Sequence, residues 1–230
     1  MKEDRAWPRS LYLTKFVLLS ICALLALPIF PAPMAVIVLN PSGWILGRSP
    51  ADWQVKVNHG KPDISNCKDD ASPTCIHLKS VKSSFALERG VDVDTGQHPY
   101  LTWRWKVSQL PGGGDFRHSG TDDQAAQVLV AFADRRVISY IWDSSAPKGS
   151  AQSTSFIPLV HVDSVVCESG AADANRWLLE ARNVAADYER AYGRPAPHVK
   201  ALRIQINSQH TGTVAESYFG EVAFRSNPQE

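Results

Sequence analysis

Between Tyr100 and Ser108 the side chains alternate without a break. Leu101, Trp103, Trp105 and Val107 fall on one face, and Thr102, Arg104 and Lys106 on the other. A period of two marks a strand with one face in a core. Pro111-Gly112-Gly113-Gly114-Asp115 then closes the stretch with turn-forming residues. Shorter runs of the same kind cover Trp53–Val57, Cys75–Val81, Val137–Trp142, Val160–Val166, Trp177–Arg182, Val199–Ile206 and Tyr218–Phe224. Gln127–Phe132 is apolar on both faces, as in a strand at the middle of a core. One stretch changes period. Asn183 can cap a helix, Val184, Tyr188, Ala191 and Tyr192 share a face at helical spacing, and Gly193 and Pro195 stop it. Short strands separated by Gly, Pro and Asp turns, with one short helix near 184–192, predict an all-β protein, an antiparallel β-sandwich. The long loops Asp115–Asp123 and Asp143–Phe156 are expected to gather at its rim.

The N-terminal pattern is different. No charged residue lies between Phe16 and Leu39, and as a helix that stretch could cross a hydrocarbon layer of about 30 Å. Arg9 and Lys15 precede it, which keeps the N-terminus in the cytoplasm and sends the C-terminal domain across. The expected organisation is therefore a cytoplasmic leader at 1–15, a signal anchor or signal peptide at 16–39, a linker at 40–52, the sandwich at 53–226 and a tail at 227–230. Phe16–Leu27, closed by Pro28, fits the core of a cleaved signal peptide. The whole stretch, kinked at Pro28, Pro31 and Pro33, fits an uncleaved anchor, and no small-residue pair suited to cleavage comes after the apolar run. Either reading sends the domain to the periplasmic or extracellular face. Cys67 and Cys75 flank the polar stretch KDDASPT, which could close as a disulfide-stapled loop in an oxidising compartment. Two free thiols, or a zinc site completed by His59 and His77, are the alternatives.

Charge narrows the function. The formal net charge is +1, but four basic and two acidic residues lie in the first forty, and the remaining 20 basic and 21 acidic residues nearly cancel. No Lys/Arg cluster survives there, so a phosphate-neutralising, nucleic-acid-binding face is excluded. The signatures GxSxG, HExxH, GxxxxGK[ST] and GxGxxG are all missing from the sequence.

From Tyr100 onward, PYLTWRWKVSQLP, TDDQAAQVLVAF, SYIWDSSAPKGS, LEARNVAADYERAYG and ESYFGEVAF succeed one another in order. In this order and spacing the chain resembles the bacterial family catalogued as domain of unknown function 3047, from Trp53 to Phe224. The resemblance implies a secreted or membrane-anchored envelope protein, similar to galactose-binding-like jelly-roll domains, many of which bind sugars without catalysis. It departs from the family pattern near Asn207–Thr213. There INSQHTGT lacks the acidic residues that relatives place just before the segment, which weakens any cation site in that loop.

The candidate ligand-binding residues are Arg104, Asp122, Asp123, Trp142, Asp143 and Lys148. Asp122 and Asp123 precede a core strand, where adjacent carboxylates can bind Ca²⁺, orient sugar hydroxyls, or merely accept turn N–H groups. The metal, if any, is otherwise open. Trp142 and Asp143 end a strand and Lys148 lies in the next loop, so the tryptophan is either a sugar-stacking platform or, with Ile138 and Tyr140, core. Arg104 is expected to pair with Asp122 or Asp143, or to hold an anionic ligand, unless its face is outward and merely solvated. Arg182 and Asp187 are expected to form a structural pair at the helix start. The leading expectation is a non-catalytic binding module for a glycan or another polar envelope component. An envelope assembly protein, and a polysaccharide hydrolase or lyase using paired carboxylates, are the alternatives.

Overall fold

The computed structural model describes residues 35–43, 52–69, 72–157 and 160–228. Residues 16–34 of the expected anchor or signal peptide, and the leader before them, lie outside the described residues. Among the described residues no helix is long and apolar enough to cross a membrane. The chain begins with β1 (Ala35–Leu39), β2 (Gln54–His59), β3 (Ile64–Asp69), β4 (Ser72–Val81) and β5 (Ser84–Val93). It continues through β6 (Tyr100–Gln109), β7 (Ala126–Phe132), β8 (Arg136–Asp143), β9 (Ala151–Ile157) and β10 (Val160–Ser169). Then come β11 (Leu178–Asn183), the helix α1 (Val184–Tyr192), β12 (Val199–Asn207) and β13 (Val214–Arg225).

These strands form two sheets. A six-stranded sheet has the order β11-β6-β13-β4-β3, with β1 added along β13, and a seven-stranded sheet has the order β2-β5-β12-β7-β8-β10-β9. The chain changes sheet at six of its later connections, from β4 to β5, β5 to β6, β6 to β7, β10 to β11, through α1 to β12, and β12 to β13. Strands joined by these connections lie in opposite sheets, while β3–β4, β7–β8 and β9–β10 stay paired side by side, which together make the jelly-roll arrangement of a β-sandwich.

Three features correct the sequence reading. Ala35–Leu39, assigned to the end of the hydrophobic span, is strand β1, and Val38 and Leu39 are buried in the sandwich. An AVIVL run satisfies a strand as well as a membrane helix, and its pairing with β13 decides the matter. The sandwich is also not wholly antiparallel, because β10 returns between β8 and β9 and runs parallel to β8. Finally, β1, β3, β5 and β9 have no counterpart among the expected strands. In β5 the alternation fails at Arg89, whose guanidinium enters the interior side to donate to the Val38 carbonyl at 2.6 Å. In β9 the polar run Gln-Ser-Thr-Ser belongs to an edge strand, without the apolar alternation that marks a buried face.

The core is aromatic at its centre. Trp103 and Trp105 from one sheet meet Tyr140 and Trp142 from the other, all four fully buried. Trp103 stacks on Tyr140 at 5.2 Å between ring centroids, and Trp105 lies 5.8 Å from Trp142. Burying one such side chain removes on the order of 200 Å² from water, worth about 5 kcal/mol in transfer free energy before the loss of conformational entropy.

Beside this layer α1 closes one end. The Asn183 side chain accepts the Ala186 N–H at 3.0 Å, and Gly193 ends the helix at φ 68°, in the left-handed region that favours glycine. Asp187, in the first helical turn, is buried and accepts two hydrogen bonds from Arg182, at 2.9 and 3.0 Å, and one from the Tyr140 hydroxyl at 2.8 Å. Burial alone raises the Asp187 pKa, but the Arg182 and Tyr140 hydrogen bonds outweigh it and hold the carboxyl below its ordinary value. The expected Arg182–Asp187 pair is thus present and tied into the core through Tyr140. Replacing Asp187 by Ala strands the buried Tyr140 hydroxyl and an Arg182 guanidinium, and is expected to cost about 3 kcal/mol. A urea-unfolding midpoint equal to that of the parent chain would contradict this.

Candidate functional site

On the seven-stranded sheet, the face turned away from the core carries a groove of about 640 Å³. Its composition arises from strand alternation. Along β12, Leu202, Ile204 and Ile206 are buried in the core, which places Arg203, Gln205 and Asn207 on the groove side. Along β7, Val128 and Val130 point inward, which leaves Gln127, Leu129 and Ala131 in the groove. The loop before β7 adds Asp122 and Gln124, while Val137, Val160 and Val162 from β8 and β10 make an apolar wall.

The polar wall is held in place by its own hydrogen bonds. Asn207 Oδ1 accepts from the Gln127 side chain at 2.6 Å and from the Gln124 backbone N–H at 2.9 Å, and Asn207 Nδ2 donates to the Asp122 carbonyl at 2.8 Å. Gln124 Nε2 donates to Asp122 Oδ1 at 2.8 Å. These bonds fix which end of each carboxamide donates and which accepts. Burial raises the pKa of Asp122 above its ordinary value, although the Gln124 hydrogen bond and nearby His210 oppose the rise. Two strands away, Glu88 accepts Arg203 Nε at 3.0 Å and lies 3.7 Å from Lys56 Nζ, one carboxylate between two cations. Among the groove-lining residues there is no aromatic ring.

Of the residues singled out from the sequence, only Asp122 lines this groove. Asp123 is fully buried beneath the 207–213 loop, where its Oδ2 accepts the Thr211 N–H at 2.6 Å and its Oδ1 lies 3.6 Å from His210 Nδ1. Gly114 belongs to the same packing, because a Cβ there would lie 2.5 Å from the Asp123 carbonyl oxygen. The two adjacent carboxyls therefore diverge. Among the described residues no group of three or more His, Cys, Asp or Glu could hold a metal ion.

Trp142 is core, not a platform. It is fully buried against Trp105, and its indole N–H donates to the Gly170 carbonyl at 3.0 Å. Ile138, Tyr140 and Trp142 share the inward face of β8, which is why a surface position is closed to it. Asp143, also fully buried, accepts N–H groups from Phe116 at 2.9 Å, Ser145 at 2.8 Å and Ala146 at 2.7 Å. It pins the 115–123 loop to the 143–150 turn, and burial, opposed by those bonds, raises its pKa. Arg104 stands on the outward face of the other sheet, 5.8 Å above the Trp177 ring, so the expected pairing with Asp122 or Asp143 does not form. Cys67 and Cys75 face each other across the β3–β4 pair and form a disulfide.

Lys148 reaches Glu168 of β10, whose side chain is buried, and Glu180 of β11 lies beside Glu168. Burial first, and the Glu168 charge second, push Glu180 up to about 7.

The groove residues beyond Asp122 were missed for a definable reason. Arg203, Gln205 and Asn207 alternate with three core aliphatics in a strand that was correctly located, so the pattern announces their shared face. That this face lies beside Gln127 of β7 is a pairing the pattern does not contain.

The model of a family described as "Protein of unknown function (DUF3047)" matches residues 51–223. No curated protein matches the chain. Among solved structures, the xyloglucanase domain of NopAA from Sinorhizobium fredii, in complex with cellobiose, is similar at a TM-score of 0.49 and 7% identity, over 78% of this chain and 97% of that one. The family 11 carbohydrate-binding module of the cellulosomal cellulase Lic26A-Cel5E of Clostridium thermocellum is similar at a TM-score of 0.47 and 8% identity, over 87% of this chain and 99% of that one. At such identities the likeness is one of general architecture.

The geometry has two measurable consequences. Asn207→Ala leaves a buried backbone N–H and the Gln127 amide without their acceptor, and should cost about 2 kcal/mol in chemical denaturation. An unchanged midpoint would show that the amide row is not held as described. Between pH 4.5 and 7 the folded chain keeps a proton at Glu180 that the unfolded chain has lost. The stabilisation is complete below about 4.5, falls as pH rises through 7, and is level above that. Glu180→Gln is expected to flatten the decline between pH 5 and 8 in urea-midpoint measurements, and an equal decline in both proteins would place its origin elsewhere.

Proposed function

The chain belongs to the DUF3047 family, and from that premise we propose that it is an extracytoplasmic, non-catalytic binding module for a neutral glycan seated in the groove of the seven-stranded sheet. The observation that carries this reading is the row Gln124, Gln127, Gln205 and Asn207, ending at Asp122 and facing an apolar wall. A carboxamide whose orientation is already fixed offers one donor edge and one acceptor edge, which suits the paired hydroxyls of a sugar ring. Orientation settled before binding lowers the entropy lost on capture. The aliphatic wall suits the C–H faces of the same ring. The carboxyls Glu88 and Asp122 match Arg203 and Lys56 in number, so the groove has little net attraction for an ionic ligand.

Register argues against hydrolysis within this groove. Glu88 lies opposite Arg203, while Asp122 is bound to Asn207, four residues further along β12. That offset corresponds to about 13 Å of extended chain, beyond the roughly 5–10 Å at which two carboxyls cooperate on a glycosidic bond. The disulfide supports an oxidising compartment, as does the uncharged segment Phe16–Leu39. We place the domain on the periplasmic or extracellular side on that basis, with the N-terminal segment as its membrane anchor or signal peptide.

The test is a panel of neutral plant and microbial oligosaccharides titrated calorimetrically into the full chain, and then into Gln127→Ala, Gln205→Ala and Asp122→Asn. Each variant is expected to weaken the bound sugar by about tenfold, equivalent to one good hydrogen bond, with the core unchanged in near-ultraviolet circular dichroism. A panel without a single binder, or variants that bind as the parent does, would remove the proposal.

A further inference from the structure

The lining of the groove is divided, and strand pairing sets the division. Its charged side chains are Glu88 of β5, Asp122 of the loop before β7 and Arg203 of β12, whereas those from β7, β8 and β10 are all uncharged. One apolar row leads into the uncharged part. Ala201 of β12 lies opposite Ala131 of β7, Ala131 opposite Val137 of β8, and Val137 opposite Val162 of β10. Val160, two residues before Val162, faces the same way and widens the strip. At about 4.8 Å between strands, the four positions from Ala201 to Val162 extend about 14 Å. All four are half-buried, so the strip is neither packed core nor open surface.

Two residues along each strand, the neighbouring row reads Glu88, Arg203, Leu129, Ser139 and Ser164. Its charges lie on β5 and β12, and the valines of the strip lie on β8 and β10. Polar and aliphatic surfaces therefore occupy opposite ends of one groove.

The physical chemistry of the strip restricts what can lie on it. A glycan continued across the valines would have hydroxyls taken from water, with Ser139 and Ser164 offering partners along one margin only. Among the groove-lining residues no aromatic ring is present on which a further sugar could stack. A protein helix is too large. With its side chains it is about 10–12 Å across, so 640 Å³ would hold about 6–8 Å of its length, little more than one turn. A hydrocarbon chain meets neither objection. It has no polar group to strand, and each methylene taken from water adds about fourfold to affinity.

We infer that the groove takes an acylated sugar. The sugar lies on the carboxamides Gln127 and Gln205, and its hydrocarbon chain passes Leu129 onto Val137 and Val162. This rests on the neutral-glycan reading of the same groove and narrows it, since the ligand becomes an uncharged amphiphile with its head towards β12 and its tail towards β10.

The experiment titrates maltose, hexyl maltoside and octyl maltoside calorimetrically into the full chain, each below its critical micelle concentration. Affinity is expected to rise with chain length, octyl maltoside binding about a hundredfold or more tighter than maltose. Val137→Thr with Val162→Thr is expected to lower that ratio about tenfold, because a hydroxyl is placed on the strip twice. If the double variant does not fold, Ala131→Leu, which fills the trough from β7, is expected to lower the same ratio with the thermal midpoint preserved. Gln127→Ala should weaken maltose and octyl maltoside alike. The uncharged N-terminal segment is the same in every variant, so a chain-length gain that no groove substitution alters lies there and overturns the inference. Oligosaccharides bound by the polar wall with no gain from an alkyl chain overturn it too, and leave the groove a plain glycan site. Octanol bound as tightly as octyl maltoside overturns both readings.

Discussion

The contact of Trp103 and Trp105 with Tyr140 and Trp142 is the constraint on which the rest of this structure depends. Four large rings, two from each sheet, are excluded from water at the centre of the sandwich. Because strand side chains alternate, burying Trp103 and Trp105 forces Thr102, Arg104 and Lys106 to the opposite face of β6. Burying Tyr140 and Trp142 likewise forces Ser139 outward on β8, into the groove. A slip of one residue in either strand would exchange the core set for the surface set. The aromatic layer therefore specifies both outer faces, although it touches neither.

Buried carboxyls organise what the aromatics do not reach. Asp143 gathers three backbone N–H groups from two loops, Asp123 holds the 207–213 loop, and Asp187 joins α1 to Tyr140 and Arg182. A buried carboxylate is costly unless it is satisfied, so each of these is a junction where separate segments must arrive together. The rim of the groove is rigid for this reason. Asp122 and Gln124 lie in a segment anchored on one side by Asp123 and on the other by Asn207.

The two faces of the molecule offer different chemistry from the same principle. Across the groove, carboxamides held by one another present ordered donors and acceptors beside an aliphatic wall. Across the other face, rings and cations in register satisfy one another laterally. Neither face uses Trp142, the residue that in sequence most resembled a sugar platform.

Local alternation was enough to locate β6, β8, β10 and β12, and helical spacing to locate α1, because a buried face imposes its period on the chain whatever its partner. The Arg182–Asp187 pair was legible for a similar reason, since its members are five residues apart at a helix start. The strands that escaped notice either carry a polar inward residue, as β5 does at Arg89, or lie at an edge without apolar alternation, as β9 does. Only the tertiary structure decided which outward faces became neighbours. Asn207 meets Gln127 across 80 positions of chain and Asp122 across 85, and Lys106 meets Tyr218 across more than a hundred. Period reports whether a residue faces the core, and it carries no information about the strand beside it. For this protein the amino-acid sequence by itself determined the inside and the outside, and long-range strand pairing determined the sites.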